Sequence, residues 1–399
     1  MKKFLTANIQ KIILIVLVIL ATISFIQGYK NALYYSQDFQ WDAAKALADR
    51  VCPYAVSLGK ATYNNLYEKV YLQMEANQFP SMLMLLFPYT IVGPIAAKYL
   101  WLMSNLIFTA GIVLLLRVTL FKELSDYEHM VLCLLMIAGT PWRNHIGVGQ
   151  HTIFSFFFFL LALYVLQYID ETEDIKPGHR ILLELLCGLF LTVSYFKYTL
   201  TAPLVLYFIY RKKYLPVAFS VLIHVVLTII SAIWLGEPVI NMIAEPLKVA
   251  SALTGEGSID IGALLGGGSF TMVISVIAML LLLFITLTAK QGRDREIIAL
   301  LLLWSLVITY HRSYDFWVLI AVYPMVADMY LVGDKMSNLI DLSYGLLLQY
   351  IFFGLRLFNE SHLSLMIGAV LYYGFVIWMT LIFTGVIKRK ETGEREDGK

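Results

Sequence analysis

The stretch that decides the fold is IQKIILIVLVILATISFIQGY, residues Ile9 to Tyr29, in which Lys11 is the only charged residue. The hydrocarbon core of a bilayer is about 30 Å thick, and about 20 helical residues cross it. Met1-Lys2-Lys3 precedes the stretch, and no small-residue cleavage site follows it. We therefore expect an uncleaved first transmembrane helix rather than a signal peptide.

The rest of the chain continues this pattern. Of its 399 residues, 59% are hydrophobic and 15% are charged, whereas soluble domains average about 25% charged. A soluble enzyme, a secreted disulfide scaffold and a nucleic-acid reader are thereby excluded. Further apolar runs begin near Ala96, Glu128, Gln150, Ile181, Thr199, Tyr214, Phe270, Glu296, Phe316, Leu342 and Leu363. The sequence predicts an all-α polytopic membrane protein of about 12 transmembrane helices, in a range of about 11 to 13.

The distribution of the 30 Lys and Arg residues predicts the orientation. When both termini are placed in the cytoplasm, every short inner loop carries Lys or Arg, as membrane proteins prefer. We predict a multi-pass protein of the cell membrane, with a single membrane domain over residues 1–387 and a disordered cytoplasmic tail over 388–399.

Two long loops then lie outside the cytoplasm, at residues 30–94 and 236–269. In the first, apolar residues at helical spacing over 37–50 predict a surface helix. The apolar stretch 79–92 is too short to cross the membrane, so we expect a helix or hairpin at the outer interface.

Polar side chains cluster at the predicted outer ends of the helices, where charge is costly and usually functional. They are Asp38, Asp42, Arg143, His145, Gln150, His151, Lys197, His311, Arg312, Tyr314, Asp315, Arg356 and His362. Several of the cations lie in very short loops, against the inside bias. An anionic ligand would offset that cost.

Structural alternatives stay open for each group. Lys197 would also suit snorkelling to lipid phosphates, and Arg143 would suit an ordinary hydrated turn. His311 and Arg312 would pair with Asp315. Asp42 follows Asp38 by one helical turn and suits the solvated side of the surface helix.

Four motifs in this order and spacing carry a resemblance. They are Ser36-Gln37-Asp38-Phe39, Gly149-Gln150-His151, Lys197-Tyr198-Thr199 and His311-Arg312-Ser313-Tyr314-Asp315. Together they resemble glycosyltransferase family 87, the polyprenol-phosphate-mannose-dependent mannosyltransferases of the C-type (GT-C) membrane superfamily. The resemblance implies that Asp38 is the catalytic aspartate and that Lys197, Gln150, His311 and Asp315 match functional positions. The sequence departs from the family at two places. The proline-rich entry to the interfacial stretch is reduced to Phe79-Pro80, and the proline that follows the lysine segment is displaced to Pro203. These departures concern the identity of the acceptor more than the chemistry.

A mechanism follows from the same residues. Lys197, His311, Arg312 and Arg143 would neutralise the donor phosphate. Asp38 would take the proton from the acceptor hydroxyl, and a single base with direct attack implies inversion. Sugar or acceptor contacts are assigned to Gln150, His151, Tyr314, Asp315 and Asp42. No cofactor and no metal are expected. Binding of a metal ion by Asp38 together with Asp42 stays open as an alternative.

The predicted function is transfer of a hexose, mannose by the resemblance, from a polyprenyl-phosphate sugar to a lipid or glycan acceptor outside the cytoplasm. The partners are this donor, that acceptor and membrane lipids, without nucleic acid. Two alternatives are a secondary transporter, which usually places polar residues near the membrane midplane, and a lipid-linked glycan ligase or polymerase.

Overall fold

A computed structural model describes residues 2–36, 38–63, 75–252, 258–265, 268–330, 335–357 and 361–387. The regular elements in these ranges are all helical. The α-helices, in chain order, are α1 Lys2–Tyr35, α2 Trp41–Ala48, α3 Pro53–Ser57, α4 Pro80–Leu83, α5 Phe87–Thr90, α6 Pro94–Val118, α7 Asp126–Ala138, α8 Thr140–Val148, α9 Thr152–Glu171, α10 Pro177–Ser194, α11 Tyr198–Thr201, α12 Val205–Tyr210, α13 Tyr214–Leu235, α14 Val239–Ala252, α15 Ile261–Leu265, α16 Gly268–Thr288, α17 Asp294–Ile308, α18 Tyr323–Tyr330, α19 Lys335–Gln349, α20 Leu355–Leu357 and α21 His362–Phe383. Segments of 3₁₀ helix lie at Met84–Leu86, Tyr195–Lys197 and Ser313–Val322, and a π-helical turn lies at Tyr350–Gly354.

Within the described ranges, 6 helical segments are long and apolar enough to cross a membrane. They are Asn8–Tyr34, Pro94–Val118, Thr152–Glu171, Pro177–Thr201, Tyr214–Leu235 and His362–Phe383. The helical elements confirm the predicted all-α fold class, and these segments support the prediction of a membrane protein. The count of about 12 spans stays a prediction, since other predicted spans form shorter helices such as α7, of 13 residues, and α17, of 15 residues.

Two predicted spans form broken elements. Near Thr199, α11 ends at Thr201 and α12 begins at Val205, after a turn that contains Pro203. Proline lacks the backbone N–H that an α-helix needs at this point. Near Phe316, the buried segment Ser313–Val322 is a 3₁₀ helix of 10 residues, which is long for that type.

The chain forms two compact units. The first unit comprises residues 1–21, 123–142 and 256–399, and the second comprises 22–122 and 143–255. The single domain predicted over 1–387 stays a prediction. The tail predicted over 388–399 lies outside the described residues.

The helices around α9 in the second unit have their ends at two levels. We call the level at the start of α9 the Asp38 end and the level at its carboxyl end the Asp170 end. The helix α9 is 20 residues long, which corresponds to about 30 Å. At its carboxyl end, Asp170 accepts hydrogen bonds from Arg211 at 2.7 Å and from Lys213 at 2.5 Å. Lys197 contacts Gln150, which lies two residues before the start of α9. Lys197 and Arg211 therefore lie at opposite ends of α9, as the predicted topology requires.

The predicted surface helix over 37–50 is found as α2, but it is not a surface helix. Its predicted apolar face is buried, with Phe39, Ala43 and Ala46 fully buried. Six of the eight α2 residues are buried, because α2 packs against α3, α4 and α5, and Lys45 and Ala48 are partly exposed. Asp42 is 6% exposed, so its assignment to a solvated face is wrong. Gln37, where the prediction began, lies outside the described residues.

The apolar stretch 79–92 is helical in three short pieces, as expected for a segment too short to cross the membrane. Its first piece, α4, packs against α13, where the Ser81 hydroxyl lies 2.8 Å from His224 Nδ1. His224 Nε2 donates to the carbonyl of Thr192 at 3.1 Å, so Nδ1 accepts in the neutral ring. The segment is thus fixed to the helices beneath it, and its place at the membrane interface stays a prediction.

Candidate active site

Three of the predicted site residues form a row at the Asp38 end of the second unit. Gln150 Nε2 donates to Asp38 Oδ2 at 2.5 Å, and Gln150 Oε1 accepts from Lys197 Nζ at 3.1 Å. A carboxylate only accepts and an ammonium only donates, so these partners determine the orientation of the amide. Gln150 and Lys197 are 7% and 8% exposed, whereas Asp38 is partly exposed. The carboxylate is therefore the more accessible end of the row.

Backbone contacts hold the row in place. The Asp38 N–H donates to the Val148 carbonyl at 3.0 Å, and the Lys197 N–H donates to Ser155 Oγ at 2.7 Å. Gly149 makes the turn between α8 and α9 with a φ of 76°, in the region that glycine adopts without strain. The loop after α1, the turn before α9 and the end of α10 thus converge on one point.

An aromatic cluster supports this turn. Trp101 stacks on Phe39 with ring centroids 4.8 Å apart, and its indole N–H donates to the Gly149 carbonyl at 2.8 Å. His151 packs on Phe196 at 4.4 Å and donates from Nε2 to the Phe39 carbonyl at 3.2 Å. The cluster thus fixes Phe39, which follows Asp38, and Gly149 and His151, which flank Gln150. The sugar or acceptor contact assigned to His151 stays a prediction.

Sequence reasoning missed Trp101 and Phe196 as parts of this site. Both lie in apolar runs rich in aromatic residues, and aromatic side chains in such runs suit lipid or core equally. Nothing in the sequence separates these rings from other aromatic side chains, such as Phe270, which is 66% exposed.

Arg143 lies deeper in the second unit than the row. Its guanidinium donates to Gln27 Oε1 at 3.1 Å and is nearly buried, with the residue 8% exposed. Gln27 precedes the end of α1 by about two helical turns. Arg143 is thus held by a neutral amide inside the helix packing rather than in the hydrated turn that the sequence left open. Its contact with a donor phosphate stays a prediction.

Asp42 lies beside the row on α2. It is buried, and its charge interacts with that of Lys98 on α6. A buried carboxylate is costly without a partner of opposite charge, and Lys98 supplies that charge. The sugar or acceptor contact assigned to Asp42 stays a prediction.

The remaining predicted residues belong to the first unit. His311 Nδ1 lies 2.9 Å from Asp315 Oδ2, and both side chains are fully buried. The structural pairing with Asp315 that the sequence left open is therefore present for His311. Arg312 is exposed and donates to the hydroxyl of Tyr310 at 2.5 Å, and Tyr314 is 8% exposed. Phosphate binding by His311 and Arg312, and sugar or acceptor binding by Tyr314 and Asp315, stay predictions.

No group of three His, Cys, Asp or Glu side chains suited to a metal ion occurs in the described part of the chain. Metal independence stays a prediction that a chelator experiment checks.

A family model matches residues 80–314, which is more than half of the chain. The chain belongs to glycosyltransferase family 87. The comparisons with curated proteins and with solved structures gave no match. Membership identifies a glycosyltransferase of the GT-C membrane superfamily, and it favours glycosyl transfer over the transporter alternative. Gln150, Lys197 and His311 lie inside the matched region, whereas Asp38 precedes it.

Proposed function

We propose that this family 87 chain transfers a hexose, mannose by the family resemblance, from a polyprenyl-phosphate sugar to a lipid or glycan acceptor. Transfer takes place on the extracytoplasmic side of the cell membrane, inverts the sugar and needs no metal ion. The observation that carries the proposal is the row from Asp38 through Gln150 to Lys197. It combines a partly exposed carboxylate with a nearly buried ammonium at one end of the spanning helices.

The two charged ends of the row suit two halves of one reaction. The acceptor hydroxyl oxygen forms a bond to the anomeric carbon while the bond from that carbon to the phosphate oxygen breaks. The hydroxyl proton goes to the Asp38 carboxylate. The electron pair of the broken bond stays on the leaving polyprenyl phosphate, where Lys197 neutralises the growing negative charge.

Direct attack by the acceptor explains the predicted stereochemistry. A retaining route needs a second carboxylate that attacks the sugar as a nucleophile. Asp42 is the nearest acidic residue along the chain, but it is 6% exposed and its charge interacts with that of Lys98. Its placement supports a single base and hence inversion.

The test is a transfer assay with purified protein in detergent, a panel of polyprenyl-phosphate sugars, and a lipid extract of the source membranes as acceptor. Asp38→Asn keeps the shape and loses the base, so we expect turnover to fall by about 100-fold or more with little change in donor KM. Products are identified by mass.

Asp49→Asn is the matched control, because Asp49 lies on the same loop, is 40% exposed and pairs with Lys45 at 2.7 Å. It should leave turnover unchanged. Absence of transfer from every donor in the panel would contradict the donor class. Normal turnover in Asp38→Asn would contradict the assignment of the base.

A further inference from the structure

We infer that Gln150 is a positioning residue that holds the Asp38 carboxylate in its reactive orientation and connects it to the phosphate-binding Lys197. The inference rests on the proposed function and adds a task for an amide that the sequence assigned to sugar or acceptor contact. It starts from one observation, which is that both ends of a single amide are occupied by oppositely charged side chains.

The geometry gives the amide a defined direction. Its N–H group faces Asp38 at 2.5 Å and its carbonyl faces Lys197 at 3.1 Å. A rotated amide would place the N–H group against the ammonium and the carbonyl against the carboxylate, where neither pair can form a hydrogen bond. Gln150 is therefore oriented by its neighbours, and it orients the carboxylate in return.

The amide also lies between the two charges, because it contacts both the Asp38 carboxylate and the Lys197 ammonium. A positive charge near Asp38 favours the ionised form of the carboxylate and opposes proton uptake. In the proposed reaction, Lys197 donates to the donor phosphate and Asp38 accepts the proton of the acceptor hydroxyl, and the amide fixes the position of both side chains. When a donor phosphate neutralises Lys197, the carboxylate becomes more basic, because a nearby positive charge has been compensated.

Gln150 is itself fixed by its surroundings. It directly follows Gly149, whose carbonyl accepts from the Trp101 indole, and its own N–H donates to the His145 carbonyl at 3.2 Å. Placement on a rigid turn is what a positioning residue needs, since displacement of a reacting group by about 1 Å costs about 100-fold in rate.

The experiment compares Gln150→Met with Gln150→Glu in the transfer assay. Methionine keeps the length and removes both hydrogen bonds, so we expect kcat to fall by about 10- to 100-fold, with a smaller change in donor KM. In Gln150→Glu, two carboxylates share one proton at low pH and imitate the amide contact, whereas at higher pH they repel. Its kcat should therefore recover at low pH and fall as the pH rises. Lys197 and His151 lie next to position 150 in both variants, so the difference between the two pH profiles reports position 150.

Gln167→Met is the matched control, since Gln167 lies on α9 near the Asp170 end, and it should leave kcat unchanged.

The double variant Asp38→Asn, Gln150→Met distinguishes the present inference from the proposed function. If Gln150 acts through Asp38, the double variant is no slower than Asp38→Asn alone. If Asp38→Asn lowers kcat and the double variant lowers it further, by the product of the two single effects, the positioning role is overturned and the proposed function stands. Normal turnover in Asp38→Asn overturns the assignment of the base and the positioning role with it, whereas absence of transfer from every donor in the panel overturns the proposed function. A change of acceptor or donor KM alone in Gln150→Met would assign the amide to substrate contact and overturn the inference.

Discussion

At the scale of single residues, the surroundings of Lys197 bear on two interpretations that the sequence left open, which are binding of the donor phosphate and snorkelling to lipid phosphates. A snorkelling lysine would direct its ammonium to lipid headgroups, but Lys197 Nζ contacts a buried amide and the residue is 8% exposed. If it holds the donor phosphate, Lys197→Ala loses a charge-assisted hydrogen bond worth about 1.5–3 kcal/mol. We expect donor binding to weaken by about 10- to 150-fold, measured as donor KM and by a separate donor-binding assay.

Lys213→Ala is the control for this prediction. Lys213 is also a lysine that follows a helix of the second unit, but it pairs with Asp170 at the opposite end of α9. It should leave donor binding unchanged. Unchanged donor binding in Lys197→Ala would return that residue to a structural role.

Single residues also show what the sequence could and could not predict. The sequence predicts Asp38, Gln150 and Lys197 as site residues, because charged or amide groups at the ends of apolar runs are costly. The structure brings the three together. The burial of Asp42 could not be predicted, because helical spacing shows which side of α2 is apolar and not whether another element covers the polar side. Trp101 was missed for a similar reason, since it lies in a run where every aromatic residue looks alike.

At the scale of elements, the turn between α8 and α9 is the point on which the row depends. Gly149 has a φ of 76°, and a Cβ there would lie 2.2 Å from Ser36 Oγ. Gly149→Ala therefore combines a left-handed backbone, which costs an ordinary residue about 1–2 kcal/mol, with a steric clash. We expect a lower unfolding temperature in detergent and a loss of turnover, because Gln150 moves with the turn.

Ser36→Gly in the Gly149→Ala background separates the two causes. Removal of the serine side chain removes the hydroxyl contact and leaves the backbone cost, so stability and turnover should recover in part. Full recovery would show that φ contributes nothing. Absence of any recovery would show that the clash with Ser36 is not the cause.

Elements also explain why the number of spans was harder to predict than their nature. An apolar run reports that a segment avoids water, which the buried segment Ser313–Val322 does. It does not report whether the backbone continues as one α-helix. The break at Pro203 had a visible cause in the sequence, whereas the 3₁₀ geometry of 313–322 had none.

At the scale of the whole molecule, the positive charges of the second unit agree with the predicted orientation. Lys122 pairs with Glu171 at 2.5 Å, and Arg211 and Lys213 pair with Asp170, so all three cations lie at the Asp170 end. Cations concentrate on the cytoplasmic side of membrane proteins. The Asp38 end is therefore expected outside the cytoplasm, which is where a polyprenyl-phosphate donor of the outer leaflet would meet it.

Labelling with a membrane-impermeant maleimide on intact cells tests this orientation. Ile91→Cys places a thiol on a residue that is 84% exposed, in the segment that leads into α6 at the Asp38 end. Lys212→Cys places one in the exposed turn at the Asp170 end. Both are made with Cys52→Ser. Cys52 is the partly exposed cysteine, whereas the two native cysteines that remain, Cys133 and Cys187, are buried and should give little background labelling.

We expect the thiol at position 91 to react on intact cells and the thiol at position 212 to react only after permeabilisation. The two positions lie at opposite ends of the same unit, so the pair gives an internal comparison of accessibility. Reaction at position 212 alone on intact cells would invert the topology. It would place the Asp38 end in the cytoplasm and require a donor presented on the inner leaflet, while the row and its chemistry would stand.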